Sequence, residues 1–99
     1  MSITGPQARA ARALVQWPRH HVAALSDLPV KALTSFERGK STLEAAVVAR
    51  LQLALESGGA VFLDEGEFGI GVRLRFTRKD VRSINRLENE GGPVGTDDV

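Results

Sequence analysis

Val30, Lys31, Thr34, Ser35 and Arg38 recur at intervals of three and four along a short segment whose apolar members are Leu33 and Phe36. On a helix the first set faces outward while the second turns inward. The chemistry open to the outward set is hydrogen bonding and methyl contact. Lysine donates to guanine edges, threonine bonds a base or touches a thymine methyl, and a valine near a helix start packs on a methyl as well. Val30, Lys31, Thr34 and Ser35 are therefore candidates for reading base edges. Arg19, His20, Arg38 and Lys40 suit phosphate oxygens or a groove edge, where they position without specifying sequence. The plainer alternative for the same charges is a solvated basic face.

Other chemistry finds little support. His20 and His21 are adjacent, so on a helix they point about 100 degrees apart and cannot chelate one metal as a pair four residues apart could. Asp64, Glu65 and Glu67 flank a turn but lack the ligand spacing of a calcium loop. The glycine-rich "EGEFGIG" has neither the lysine and hydroxyl of a phosphate loop nor a strand-to-helix setting, and reads as a turn. With no cysteine, disulfides, thiolate metal sites and cysteine nucleophiles are excluded. No nucleophile elbow or paired-carboxylate site is present. The expectation is a protein that is not an enzyme and holds no cofactor and no metal; Trp17 reads as a core or hinge side chain.

The elements that must position the outward set follow from capping and periodicity. Thr4 and Gln7 form a capping-box signal, Pro6 suits a first turn, and Ala8, Ala11, Leu14 and Val15 give a stripe, which predicts a helix over residues 5–16. Pro18 opens a second helix with Val22, Ala23 and Leu25 as its apolar face, broken by Ser26 and Asp27. Pro29 opens a third, closed by Gly39 as a left-handed stop. The short gap between these two is typical of a helix-turn-helix. Ser41 and Glu44 suggest a second capping box ahead of a fourth helix. There Leu43, Ala46, Val47, Arg50, Leu51, Ala54 and Leu55 keep the three-four rhythm up to Ser57, Gly58 and Gly59. Beyond the glycines the period becomes two. Val61 and Leu63 alternate, and Val72, Leu74 and Phe76 share a face opposite Arg73 and Arg75, which predicts a β-hairpin. Thr77 and Asp80 cap a last helix whose Val81, Ile84 and Leu87 form a narrow stripe, and residues 91–99 read as a disordered tail.

Size and charge bound the reading. A chain of 99 residues supports one domain with a modest core, and its five aromatic residues leave that core to Leu, Val and Ala. The net charge of +1 hides an asymmetry. Residues 1–40 hold six Lys or Arg against Asp27 and Glu37, a local +4. Such a patch is an electrostatic footprint for phosphates or simply a solvated face. The longest apolar run, Ala45 to Ala49, is far short of a membrane span, and "MSITGPQ" lacks signal-peptide features. A soluble, cytoplasmic protein with no membrane partner is expected.

The run "ITGPQARAARALVQW…VAAL…L…FERG" resembles the small Cro-repressor type helix-turn-helix regulators of bacteria, also called the xenobiotic-response-element type. Thr4, Gln7, Arg9, Ala10, Ala11, Arg12, Leu14, Trp17, Ala23, Leu33, Phe36, Glu37 and Gly39 fit that pattern without a gap, and the resemblance covers roughly residues 3 to 76. It implies a mainly α, lambda-repressor-like bundle of about four helices followed by a β-hairpin and a C-terminal helix. In such an arrangement residues 1–59 form the DNA-binding unit, 60–76 the hairpin, 77–90 the last helix and 91–99 the tail. The implied function is sequence-specific binding of double-stranded DNA by a homodimer that places residues 29–38 in the major groove. Dimerisation would use Val72, Leu74 and Phe76 of the hairpin or Val81, Ile84 and Leu87 of the last helix.

Five positions depart from the pattern. Pro18 and Arg19 stand where serine and glutamine are usual, Asp27 replaces the turn glycine, Pro29 replaces the serine that caps the recognition helix, and Ala32 replaces the threonine within it. Arg19 can substitute electrostatically for the glutamine, and Pro29 can begin a helix without a cap. The departures imply altered DNA specificity, or else a helix-turn-helix fold turned into a module that binds another regulatory protein.

Overall fold

The computed structural model describes residues 2–75 and Asn85. Among residues 2–75, four helices and a two-stranded antiparallel hairpin follow one another: α1 (Gly5–Val15), α2 (Arg19–Ser26), α3 (Val30–Glu37), α4 (Ala45–Ser57), β1 (Ala60–Leu63) and β2 (Gly71–Leu74). The expected last helix and tail, residues 77–99, lie outside the described residues, apart from Asn85. Among the described residues no helix is long and apolar enough to cross a membrane.

The first helix starts as its sequence demands. The Gln7 backbone N–H donates to Thr4 Oγ1 and the Thr4 N–H donates to Gln7 Oε1, which completes the capping box. It ends one residue early. Gln16 turns left-handed (φ 61°), and the N–H groups of Gln16 and Trp17 bond the carbonyls of Ala13 and Arg12. That pairing closes a helix end by satisfying carbonyls that would otherwise be orphaned. Asp27 repeats the device after α2 (φ 55°), with its own N–H and that of Leu28 reaching Ala24 and Ala23. The left-handed backbone that a glycine would provide is here taken by a short acidic side chain that tolerates it.

Helix α1 is the centre of the molecule, packing on α3, α4 and both strands. Ile3, Ala8, Ala11, Val15, Val22, Leu33, Leu51, Leu55 and Phe62 belong to one continuous buried core. The start of α1 abuts the end of α3 so closely that a Cβ on Gly5 would stand 1.9 Å from the Phe36 carbonyl oxygen. Only a glycine admits that approach.

Expectations for three elements, α2, α4 and the hairpin, need correction. In α2, Leu25 is exposed while Ser26 is buried, its hydroxyl donating to the Val22 carbonyl at 2.8 Å. A self-satisfied serine can occupy a core position one residue round the helix from the leucine. Helix α4 begins at Ala45 with Glu44 as N-cap and no side-chain cap bond, so Ser41 and Glu44 form no capping box. The chain around Ser41 is still closing α3, with the N–H groups of Lys40 and Ser41 both on the Ser35 carbonyl. The buried face of α4 is Val48, Leu51, Ala54 and Leu55, leaving Ala46 and Arg50 outside. In the hairpin, Ala60 and Phe62 are the buried members of β1, and Leu63 is exposed. The register Ala60↔Leu74 and Phe62↔Val72 sets these pairs on the inner face, and Val61↔Arg73 on the outer. Burying Phe62 decides the phase, because it removes more apolar surface than Leu63 could.

Candidate nucleic-acid interface

Helices α2 and α3 are joined by only Asp27, Leu28 and Pro29. Leu33 and Phe36 anchor α3 in the core, and Leu28 packs against the same cluster from the turn. The opposite side of α3 then faces solvent. Val30 and Lys31 are exposed in its first turn, with Thr34 and Ser35 half-buried behind them. The Thr34 hydroxyl donates to the Val30 carbonyl at 2.9 Å. It therefore offers its methyl and an acceptor lone pair to a ligand, and its proton is already committed. Gly39, left-handed at φ 72°, ends the helix and carries exposed Arg38 and Lys40 past its last turn.

Behind this surface lies a buried ion cluster. The Glu37 side chain is fully buried, and both of its oxygens are used. Arg12 donates from Nε to Oε2 at 2.8 Å and from Nη2 to Oε1 at 3.1 Å, a two-point grip, while its Nη1 reaches the Trp17 carbonyl at 3.3 Å. Arg19 adds a bond from Nε to Oε1 at 3.1 Å. Three elements, α1, α2 and the end of α3, are thereby tied to one carboxylate. Planar guanidinium groups suit that task because their fixed fork matches a carboxylate.

The candidate residues now sort by place. Val30, Lys31, Thr34 and Ser35 share the outward side of α3. Arg38 and Lys40 extend it beyond the helix end, and His20 is exposed on α2. Arg19, with its side chain 28% exposed, is held at the base of this surface by Glu37. His21 stands edge-on to the Trp17 ring at 4.7 Å. Arg9 of α1 joins Arg38 along a shallow open groove of about 540 Å³. Among the described residues no three His, Asp or Glu come together as a metal site. Of the six basic residues in the first forty, Arg12 and Arg19 are spent on Glu37, and Arg9, Lys31, Arg38 and Lys40 face solvent.

Of the hairpin residues expected at a dimer contact, Val72 and Leu74 are half-buried and pack against the core of their own chain. Phe76, Val81, Ile84 and Leu87 lie outside the described residues. Compared with protein-family models and with curated proteins, the chain matches none.

Two side chains do more than their sequence positions announce. Glu37, counted in the sequence only as one of two acids in the first forty residues and as part of the family pattern, sits one turn beyond Leu33 on the inward side of α3. Gln7 does more than cap, since its Nε2 donates to the Leu63 carbonyl at 3.2 Å and the Gly71 carbonyl at 2.8 Å. A single buried amide thus fastens the start of α1 to both hairpin strands.

Proposed function

We propose that the chain is a sequence-specific, DNA-binding regulator of transcription of the Cro-repressor type, acting as a homodimer with α3 in the major groove. The observation that carries this reading is the outward side of α3. Behind a three-residue turn Val30 and Lys31 are exposed and Thr34 and Ser35 half-buried on the side of α3 opposite its core anchors, with Arg38 and Lys40 at the edge. A helix so placed can enter a major groove while the preceding helix crosses the backbone. Lys31 donates to guanine, Val30 and the Thr34 methyl contact thymine methyls, and Thr34 Oγ1 accepts from a base amine. Arg38, Lys40 and His20 take phosphates. Arg19, steadied by Glu37, presents its remaining N–H groups at the groove edge.

A Lys31→Ala/Thr34→Ala double substitution tests the assignment. Fluorescence anisotropy on an operator duplex is expected to show a loss of about 1–3 kcal/mol in specific affinity, with nonspecific binding preserved. Unchanged operator affinity in the folded double variant would remove α3 as the reader.

One observation favours a second reading, an interaction module that binds another regulatory protein. Leu25 is 51% exposed and Val30 44% exposed on either side of the α2–α3 turn, and apolar side chains there suit a protein partner. Tight capture of a protein by this surface, with DNA affinity blind to sequence, would decide for it.

A further inference from the structure

We infer that the outer face of the hairpin and its loop form the contact between two copies of this chain, related by a two-fold axis. Such a contact rests on the homodimer in the reading above and names the surface that makes it.

Three large apolar residues crowd the hairpin tip in the open. Phe68 is 95% exposed, Ile70 48% and Leu63 41%. Val61 shares the outer face with Leu63, since the register sets the two opposite Arg73 and Gly71 and away from the buried Ala60 and Phe62. Isolated exposed apolar residues are ordinary, but a cluster of this kind within ten residues marks a contact surface. The hairpin packs on α1 and α4 with its inner face, so burying the outer face leaves α2 and α3 free.

Charge complementarity selects the occupant. The loop carries exposed Asp64, Glu65 and Glu67, and the outer face of β2 carries exposed Arg73. Acid sits at the tip, base toward the open end. Two hairpins laid face to face and antiparallel place the acidic tip of each over the Arg73 of the other, with Leu63, Phe68 and Ile70 enclosed between. The parallel arrangement would set acid on acid. A self-complementary patch of this kind is what an isologous two-fold contact requires, and opposed charges fix its register. Away from the tip, Asn85 accepts from Trp17 Nε1 at 3.0 Å and donates to the Val15 carbonyl at 3.1 Å, and the Trp17 ring lies against Gly58, ahead of β1.

Sedimentation velocity on the full chain tests the inference, with helical circular dichroism as the folding control. The unaltered protein is expected to sediment as a dimer. Phe68→Ser/Ile70→Ser should keep its helix signal and raise the dimer dissociation constant by about thirtyfold or more, as removal of central apolar anchors does. Arg73→Glu alone and Glu65→Lys/Glu67→Lys alone should each weaken the dimer, and an equimolar mixture of the two should restore it as a heterodimer. A folded Phe68→Ser/Ile70→Ser variant that stays fully dimeric overturns the inference. So does an unaltered protein that is a monomer, or a charge-swapped mixture that fails to associate. Operator binding is read separately by anisotropy, so a dimer without sequence preference would end the DNA reading and leave this surface standing.

Discussion

A buried carboxylate gripped by two arginines is the most consequential single feature of the chain. Glu37 has no exposed side-chain surface, and Arg12 is nearly as deep. Removing one partner of such a pair leaves the other as an uncompensated buried charge, a loss of about 3–5 kcal/mol. Glu37→Ala is accordingly expected to lower the unfolding free energy by that amount in urea titrations, which for a domain of this size removes much of its stability. Arg19→Ala, at a more exposed member, should cost much less. This cluster is hidden in the sequence because charge counting treats every arginine as a surface group. The signal lies in position: Glu37 follows Leu33 by four residues, on the side of α3 that turns inward.

The helices owe their limits to a few end groups, and those decide which elements are legible in advance. Thr4 with Gln7 announces α1, and Leu33, Phe36 and Gly39 announce α3, because each signal acts within one or two turns of chain. The start of α4 and the facing of β1 depend on distant partners. Ser41 is drawn into closing α3, and Phe62 is turned inward by its pairing with Val72, so no local rule reaches them. Two predictions belong here. Gln16 occupies a left-handed position without being glycine, and Gln16→Gly is expected to raise stability by about 1 kcal/mol in thermal or urea unfolding. Gln7→Leu removes both bonds to the hairpin carbonyls. Native-state hydrogen exchange should then show faster opening of the β1 and β2 amides, while α2 and α3 keep their protection.

At the scale of the molecule, the proposed reading uses two surfaces, that of α2 and α3 and that of the hairpin, and α1 packs on α3 and on both strands. With DNA on the first and a second copy of the chain on the other, substitutions in one should leave the other intact. Phosphate neutralisation carries the salt dependence of DNA binding. Replacing Arg38 and Lys40 with alanine is expected to weaken binding about equally on all sequences and to reduce the salt slope by about one for each phosphate no longer neutralised. The basic bias of the first forty residues points to this surface, yet a third of its basic side chains serve the interior through Glu37. The most direct measurement is binding of the purified protein to its own upstream DNA and to a scrambled duplex, by fluorescence anisotropy across a salt titration. An operator-reading regulator prefers the upstream site by roughly a thousandfold or more at physiological salt, and that preference is the expected result. Equal, weak and steeply salt-dependent binding to both duplexes would contradict it.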